Sequence, residues 1–215
     1  MIVLAEKVRS IKCAWAWLKR DLVQRGAIAP NGQVTITVLL RNPINLFMLL
    51  LRLKEWTVNT RTPVLVRLAI AALFRRQSIK LGFSIPPNVF GPGLAIVHYG
   101  PIVVNGNARV GANCRVHVCV NIGGAGNLVS PETAVGLAPQ IGSNVYISPG
   151  AKIYGPIRIA DGVAIGANAV VNRTFDEPGI TIAGVPARVI SHKGSSGMIV
   201  EVDKEPFISS MPDKL

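Results

Sequence analysis

Aliphatic residues recur at every sixth position through the second half of the chain. One register runs without a slip from Ile141 to Val171, and an earlier one runs from Val104 to Ile122. Gly, Asn, Asp and Pro fill many of the intervening positions, as tight corners require. A period of six fits neither an amphipathic helix nor an alternating strand. It predicts a parallel β-helix, in which each hexapeptide supplies a short strand and a corner, and three hexapeptides complete one coil.

The first third of the chain has helical periodicity instead. Apolar residues in Leu4–Leu22 follow alternating spacings of four and three, which predicts an amphipathic helix. Asn42–Pro43 and Thr62–Pro63 predict the starts of two more helices. Gln33–Leu40 is an exception, because its β-branched alternation is typical of a strand. No apolar run here approaches the roughly 20 residues that a membrane span needs.

These patterns divide the chain into three parts. We predict a basic amphipathic helical module over residues 1–82, a β-helix over 83–193 and a C-terminal tail over 194–215. The tail has the composition of a flexible linker followed by a short extended segment. The predicted fold class is mainly β, a parallel β-helix preceded by a small α-helical module.

Positive charge is concentrated in the helical module. Residues 1–80 contain 14 Lys and Arg against three acidic residues, which is +11 of the chain's net charge of +12. No nucleic-acid motif accompanies this charge, so nucleic acid is not a predicted partner. Basic residues among strongly apolar ones favour a membrane surface or an anionic, lipid-linked substrate. The alternative is that these apolar faces pack on one another or against a second subunit.

The chain has only three cysteines, and an odd number cannot all pair within one chain, which argues against a disulfide framework. A reducing compartment is therefore favoured. The predicted location is the cytoplasm, with peripheral contact at the inner face of the membrane as an option. Cys114 and Cys119 are not accompanied by other metal-ligand residues, and we expect both to be small buried side chains. No metal site is predicted.

Residues 84–193, with IGANAVV and TIAGVPARVI, resemble the hexapeptide-repeat acyltransferases. Within them, HYGPIVVNGNARVG followed by VNIGG resembles the serine acetyltransferase branch. The resemblance implies a left-handed parallel β-helix, acetyl-CoA as co-substrate, and a homotrimer with active sites in the grooves between neighbouring prisms. The resemblance does not decide whether two such trimers pair into a dimer of trimers.

His98 lies among aliphatic residues, with no acidic residue within ten positions. Counting back six from Val104 places it in, or next to, an interior position, unless a register slip at Gly100–Pro101 turns it outward. The resemblance implies that His98 is the catalytic base. An imidazole suits that task, because transfer from a thioester to an alcohol needs a base with a pKa near neutrality. Without an acid nearby, we expect a backbone carbonyl or the Ser84 hydroxyl to orient the ring.

The resemblance also assigns a cofactor surface. Glycines would bring backbone close to the thioester, small residues would let the pantetheine arm lie against the coils, and cations would face the nucleotide phosphates. The predicted residues are Gly123, Gly124, Ser148, Gly166, Ala167, Arg188 and Lys193. Candidate acceptor contacts are Ser84, Tyr99, His117 and Asn121, with His117 expected one coil above Tyr99.

The sequence departs from the branch where that branch binds serine. Ser84, Val97, Leu137 and Ala138 stand where the resembled enzymes carry charged or polar residues. Losing the partners of an ammonium and a carboxylate would be costly for a site that reads serine. We therefore predict a sugar hydroxyl as acceptor, in a surface polysaccharide or its lipid-linked precursor, with the loop from Ala125 to Pro139 shaping the pocket.

Two alternatives remain open at this point. One is O-acetylation of serine by a divergent acceptor site. The other is a catalytically silent β-helix that serves as an assembly scaffold. The scaffold is favoured if His98 points into a sealed interior.

Overall fold

The computed structural model describes residues 7–125 and 137–200. Four helices come first: α1 Ile11–Gln24, α2 Ile36–Arg41, α3 Pro43–Asn59 and α4 Val64–Leu81. Ser10 and Asn42 accept hydrogen bonds from backbone N–H groups in the first turns of α1 and α3, which would otherwise be unsatisfied. The strand expected over Gln33–Leu40 is wrong, because the Thr35 hydroxyl caps α2 in that segment.

Short strands follow in the rest of the described chain. They are β1 Phe83–Ser84, β2 Ala95–Ile96, β3 Ile102–Val104, β4 Arg109–Val110, β5 Arg115–Val116, β6 Asn121–Gly123, β7 Gln140–Ile141, β8 Tyr146–Ile147, β9 Lys152–Tyr154, β10 Arg158–Ile159, β11 Ala164–Ile165, β12 Val170–Val171, β13 Thr181–Gly184 and β14 Ala187–Ser191.

The strands stack into three sheets, which we call faces A, B and C. Face A contains β1, β3, β6, β9 and β12, face B contains β4, β7 and β10, and face C contains β2, β5, β8, β11, β13 and β14. All pairings are parallel except β13 with β14. Successive strands pass from face C to A to B, which is the predicted parallel β-helix. In the described chain, helices nevertheless hold more residues than strands, because each hexapeptide places only two or three residues in a strand.

Both six-residue registers lie in the interior, as predicted. Every aliphatic residue of the two registers is buried. One vertical ladder on face C consists of Ile96, Val116, Ile147, Ile165 and Ile182. Removing each such side chain from water contributes about 1.5–3 kcal/mol. Cys114 is buried as expected, but the expectation for Cys119 is wrong, because it occupies a corner at φ 62° and is exposed.

A buried ionic cluster fastens the helical module to the first coil. Arg52 Nε lies 2.7 Å from Asp21 Oδ2, and Arg52 Nη1 lies 2.8 Å from Glu55 Oε2. We call Asp21, Arg52 and Glu55 the anchor cluster. Asp21 also accepts from backbone N–H groups of the first coil, and Arg52 donates to its carbonyl groups. These backbone partners are Phe90, Gly91, Gly93 and Leu94.

Helix α4 leaves much of its apolar surface uncovered within one chain. It packs on α3 along a stripe that includes Gln77 and Leu81, both buried. Its outward side exposes Leu65, Leu68 and Ile79 together with basic residues. Within the described ranges, no helix combines the length and the hydropathy that crossing a membrane demands. Contact of this face with another subunit or a membrane surface stays a prediction.

The beginning of the tail is packed rather than a free linker, which corrects the expectation from composition. Gly194 and Ser195 are buried, and the Ser195 hydroxyl donates to the Asn144 carbonyl at 2.6 Å. Farther along, the Val200 carbonyl accepts from the Gln24 side chain of α1 at 2.7 Å. Residues 201–215, which hold the predicted extended segment, lie outside the described ranges.

Candidate active site

His98 lies at the corner between faces C and A, in a turn that is longer than the one above it. Before the corner, Ile96 pairs with Val116, and after it Val103 pairs with Asn121. The corner between Ile96 and Val103 therefore contains two more residues than the corner above it, between Val116 and Asn121. This register slip turns His98 outward, where it is exposed. The sequence left an interior and an outward placement open for this ring, and the register slip at this corner gives the outward one.

Gly100 makes the longer corner possible. Its φ of 124° is a conformation that side-chain-bearing residues rarely adopt, and a Cβ there would lie 2.6 Å from Cγ2 of Val118. Among the described residues, the His98 ring has no hydrogen-bond partner, so the prediction that Ser84 or a backbone carbonyl orients it is not confirmed. Tyr99, beside it, is 69% exposed.

The ring of His117 lies next to that of His98. The two ring centroids are 6.1 Å apart, and the His117 ring lies 5.0 Å from that of Tyr146. We call the surface formed by His98, His117 and Tyr146 the histidine groove. The strand register places His117 above Val97, not above Tyr99 as expected, because of the two extra residues.

The His117 side chain is only 9% exposed, and its Nε2 has no hydrogen-bond partner among the described residues. A buried ring nitrogen without a hydrogen-bond partner costs free energy of folding. Burial lowers the pKa of His117, and the charges of Arg115 and His98 lower it further. The ring is therefore held neutral next to His98.

The lowered pKa of His117 predicts a pH-dependent loss of stability. Because the unfolded chain takes up this proton below about pH 6.5 while the folded chain resists it, stability falls as the pH drops through that value. His117→Gln removes the titrating group, so this variant is expected to lose less unfolding free energy than the wild type between about pH 7.5 and about pH 5.5. Urea unfolding at both pH values measures the difference, with His192→Gln as the control for loss of an exposed imidazole. Equal losses in wild type and His117→Gln would contradict the prediction.

Several predicted cofactor residues stand in one vertical line above His117. Backbone hydrogen bonds place Ser148 over His117 and Gly166 over Ser148 at the same corner. Ala183 follows, and its Cβ would lie 2.7 Å from a Cβ on Gly166. Arg188 is the antiparallel partner of Ala183 at the top. We call Ser148, Gly166 and Ala183 the small-residue column, which rises by about 4.8 Å per coil from the histidine groove.

Ala167 and Arg188 flank this column on its exposed side. Ala167 directly follows Gly166, at the turn from face C to face A. Residues with little side chain thus lead from the histidine groove to an exposed guanidinium.

Other predicted residues lie elsewhere in the chain. Gly123 ends β6 and Gly124 follows it, at the opposite end of face A from the His98 corner. Ser84 and Asn121 are exposed on the outer side of face A, on either side of Val103. A single chain therefore does not bring the double glycine and His98 together.

Lys193 is also separated from the column. It follows β14, which runs antiparallel to β13 and so returns to the other edge of face C. There, the neighbouring Ser195 N–H donates to the Gly162 carbonyl at 2.9 Å. Within a single chain, Lys193 and Arg188 therefore lie apart, and their predicted role at the nucleotide phosphates stays a prediction for the groove between subunits.

Most of the predicted acceptor loop, residues 126–136, lies outside the described ranges. Its base is closed by the Ala125 N–H, which donates to the Leu137 carbonyl at 2.7 Å. Ala138 is 4% exposed and belongs to the core. Its side chain is therefore not available to an acceptor.

Three residues near the site were missed by the sequence reasoning: Arg25, Arg115 and Tyr146. Arg115 and Tyr146 each directly precede an interior aliphatic residue, so equal hexapeptide phase is a signal that could have placed them side by side. Arg25 follows α1, and its Nε donates to the Ile96 carbonyl at 2.9 Å. No local pattern could have revealed that contact, which spans 71 residues.

Comparison with known proteins gives consistent matches. Residues 138–173 match the family profile described as bacterial transferase hexapeptide (six repeats). The chain is 33% identical over 195 residues to the serine acetyltransferase of Synechococcus elongatus, covering 90% of this chain and 72% of that protein. It is 34% identical over 146 residues to the serine acetyltransferase of Mycobacterium tuberculosis, covering 67% of this chain and 59% of that protein.

Solved structures agree with the sequence matches. Soybean serine acetyltransferase complexed with serine superposes with a TM-score of 0.63 at 27% identity, covering 84% of this chain and 70% of that one. Serine acetyltransferase from Brucella abortus strain S19 gives a TM-score of 0.58 at 25% identity, with coverages of 84% and 70%. These similarities support the left-handed winding predicted for the β-helix.

Proposed function

Because the chain belongs to the serine acetyltransferase-like branch of the hexapeptide-repeat acyltransferases, we propose that it transfers an acetyl group from acetyl-CoA to an alcohol. The observation that carries this proposal is the outward display of His98 at the foot of the small-residue column. A base and a path for a long, narrow thioester meet at one corner. A sealed His98 would have favoured the scaffold alternative, and the ring is exposed instead.

In the proposed reaction, neutral His98 removes the proton of the acceptor hydroxyl as its oxygen attacks the thioester carbonyl carbon. The new C–O bond gives a tetrahedral oxyanion, which backbone N–H donors stabilise. Collapse of this intermediate breaks the C–S bond. The imidazolium returns its proton to the departing thiolate, so His98 ends the cycle neutral.

The small-residue column supports one orientation of acetyl-CoA. The pantetheine arm would lie along Ser148 and Gly166, with the thioester at the histidine groove. The exposed guanidinium of Arg188 would then meet the nucleotide phosphates about four strand spacings away. Gly123, Gly124 and Lys193 would join such a site only from a neighbouring copy, as in the homotrimer that the family resemblance implies.

The comparisons favour serine as acceptor, the alternative of the sequence analysis, over a polysaccharide. The reported relatives are named serine acetyltransferases, and one solved neighbour is complexed with serine. A divergent serine site is therefore a full candidate. The polysaccharide acceptor rests on the residues of this chain alone.

One observation on the described residues concerns the ammonium group of serine; the acceptor loop, with Glu132, lies outside them. In the described ranges, each carboxylate lies away from the histidine groove. Asp21 and Glu55 are in the anchor cluster, and Asp161 accepts from the Ser143 N–H at the corner between faces B and C. The others pair on the outer coils: Asp176 with Arg158, and Glu177 with His192. An ammonium placed beside His98 would meet no described carboxylate, which a serine-reading site needs.

A matched pair of acceptors tests this point. Glycerate has a hydroxyl where serine has its ammonium, so it keeps the primary alcohol and the carboxylate. With acetyl-CoA and purified protein, we expect free thiol to appear no faster with serine than with glycerate, because no described carboxylate near His98 binds the ammonium group of serine. De-O-acetylated glycan and glucose complete the panel.

Faster release with serine than with glycerate would assign this chain the activity for which its relatives are named. If none of these alcohols produced free thiol when the protein was saturated with acetyl-CoA, the O-acetyltransferase proposal itself would be contradicted.

A further inference from the structure

The histidine groove is bordered by two arginines that the proposed reaction does not use. Building on the proposed function, we infer that Arg25 and Arg115 form an anion subsite, and that the acceptor alcohol carries a carboxylate or a phosphate bound there. The inference concerns how the acceptor is recognised and adds no step to the acetyl transfer.

Arg115 lies on the outer side of face C, in line with the histidine groove. Its strand partners are Ala95 below and Tyr146 above. It precedes His117 by two residues, and alternate residues of a strand point to the same side. Ala95 is 1% exposed, because α1 of the helical module covers this end of face C, next to the His98 corner.

Arg25 is held over the same region from the helical module. It is the C-cap of α1, and it donates to the Ile96 carbonyl at 2.9 Å and to Asn45 Oδ1 at 2.6 Å. Ile96 is next to the strand partner of Arg115 and two residues before His98. Partial burial and the charge of Arg115 lower the pKa of Arg25, which agrees with two neighbouring cations.

No described carboxylate neutralises this pair of guanidinium groups. The recorded ion pairs in the described ranges engage Arg52, Arg158 and His192, and neither Arg25 nor Arg115 takes part in one. Holding two unpaired cations close together is unfavourable unless an anion visits them. His117, kept neutral beside them, has its unpartnered Nε2 buried beneath the same surface.

The surroundings indicate the chemistry of the occupant. Guanidinium groups bind carboxylate and phosphate through paired, charge-assisted hydrogen bonds. The Tyr146 ring offers an apolar surface next to them, which suits the face of a sugar ring. The acceptor that fits is thus a hydroxyl-rich compound with one anionic group. The proposed base, His98, lies at the corner next to this subsite.

Binding of three matched sugars tests the subsite independently of turnover. Glucose is neutral, glucuronate adds a carboxylate, and glucose phosphate adds a phosphate. By titration calorimetry, the wild-type protein is expected to bind at least one of the two anions about tenfold more tightly than glucose, and added salt should weaken this preference. The anion preferred distinguishes a carboxylate-bearing acceptor from a phosphorylated one.

Two arginine variants complete the design. Arg115→Gln is expected to abolish the preference for the anion over glucose, a ratio that partial misfolding would not change. Arg109→Gln is the control, because Arg109 occupies the equivalent strand position on face B and bonds to the Gly106 carbonyl. That variant should keep the wild-type ratio.

Equal binding of glucose and both anions by the wild type would overturn the inference, and so would an unchanged preference in Arg115→Gln. Either result would leave the proposed acetyl transfer standing. Loss of that function would show instead as absent thiol release while anion binding persisted.

Discussion

Replacing His98 with alanine is expected to lower the rate of acetyl transfer by about 10²–10⁴-fold without unfolding the protein. The ring is exposed and has no described hydrogen-bond partner, so its removal leaves no buried group unsatisfied. What disappears is the base that accepts the hydroxyl proton. The same protein should still bind acetyl-CoA, since the small-residue column and Arg188 lie above the substituted corner.

Thiol release under saturating acetyl-CoA measures the effect, together with an unfolding curve for each variant. His192→Ala is the matched control, because His192 is an exposed imidazole that contacts Glu177 on a far coil. It should retain wild-type activity. Full activity of His98→Ala would remove His98 from the mechanism and show that another group accepts the hydroxyl proton.

The interior of the β-helix was predictable because its signal is local. Val116, Ile147 and Ile165 each belong to a hexapeptide whose own residues specify a strand and a corner. Every coil repeats this local structure, so the same positions are buried in each coil. Periodicity could not locate His98, because a two-residue insertion at one corner moves the ring from an interior line to the surface. The aliphatic residues around His98 carry no mark of that insertion apart from Gly100.

The other differences between expectation and structure have both long-range and local causes. Arg25 reaches Ile96 only because the helical module docks on the first coil, and that docking depends on partners far apart in the sequence. The strand-like alternation of Gln33–Leu40 was overruled by a local Thr35 cap. The position of Lys193 follows from the antiparallel pairing of β13 with β14, which the hexapeptide count does not specify.

Breaking the anchor cluster is the second change with a large expected effect. Arg52→Met should reduce the free energy of unfolding by about 3–5 kcal/mol, because it leaves two carboxylates buried without their cation. It also removes the donor from the Phe90 and Gly91 carbonyl groups. Urea unfolding measures the loss, and Arg158→Met is the control because it breaks an exposed ion pair, which should leave the midpoint unchanged.

The pH dependence separates a stranded charge from a simple packing defect. Burial already raises the pKa of Asp21 even with Arg52 beside it, and losing that cation raises it further. A raised folded-state pKa means that the folded variant holds a proton that the unfolded chain releases, so its stability increases as the pH falls toward the ordinary Asp range. The deficit of Arg52→Met should therefore shrink in acid, and Asp21→Asn with Glu55→Gln in the same chain should recover part of it at neutral pH. A deficit that is independent of pH and unaffected by the added amides would show that the cluster acts through packing alone.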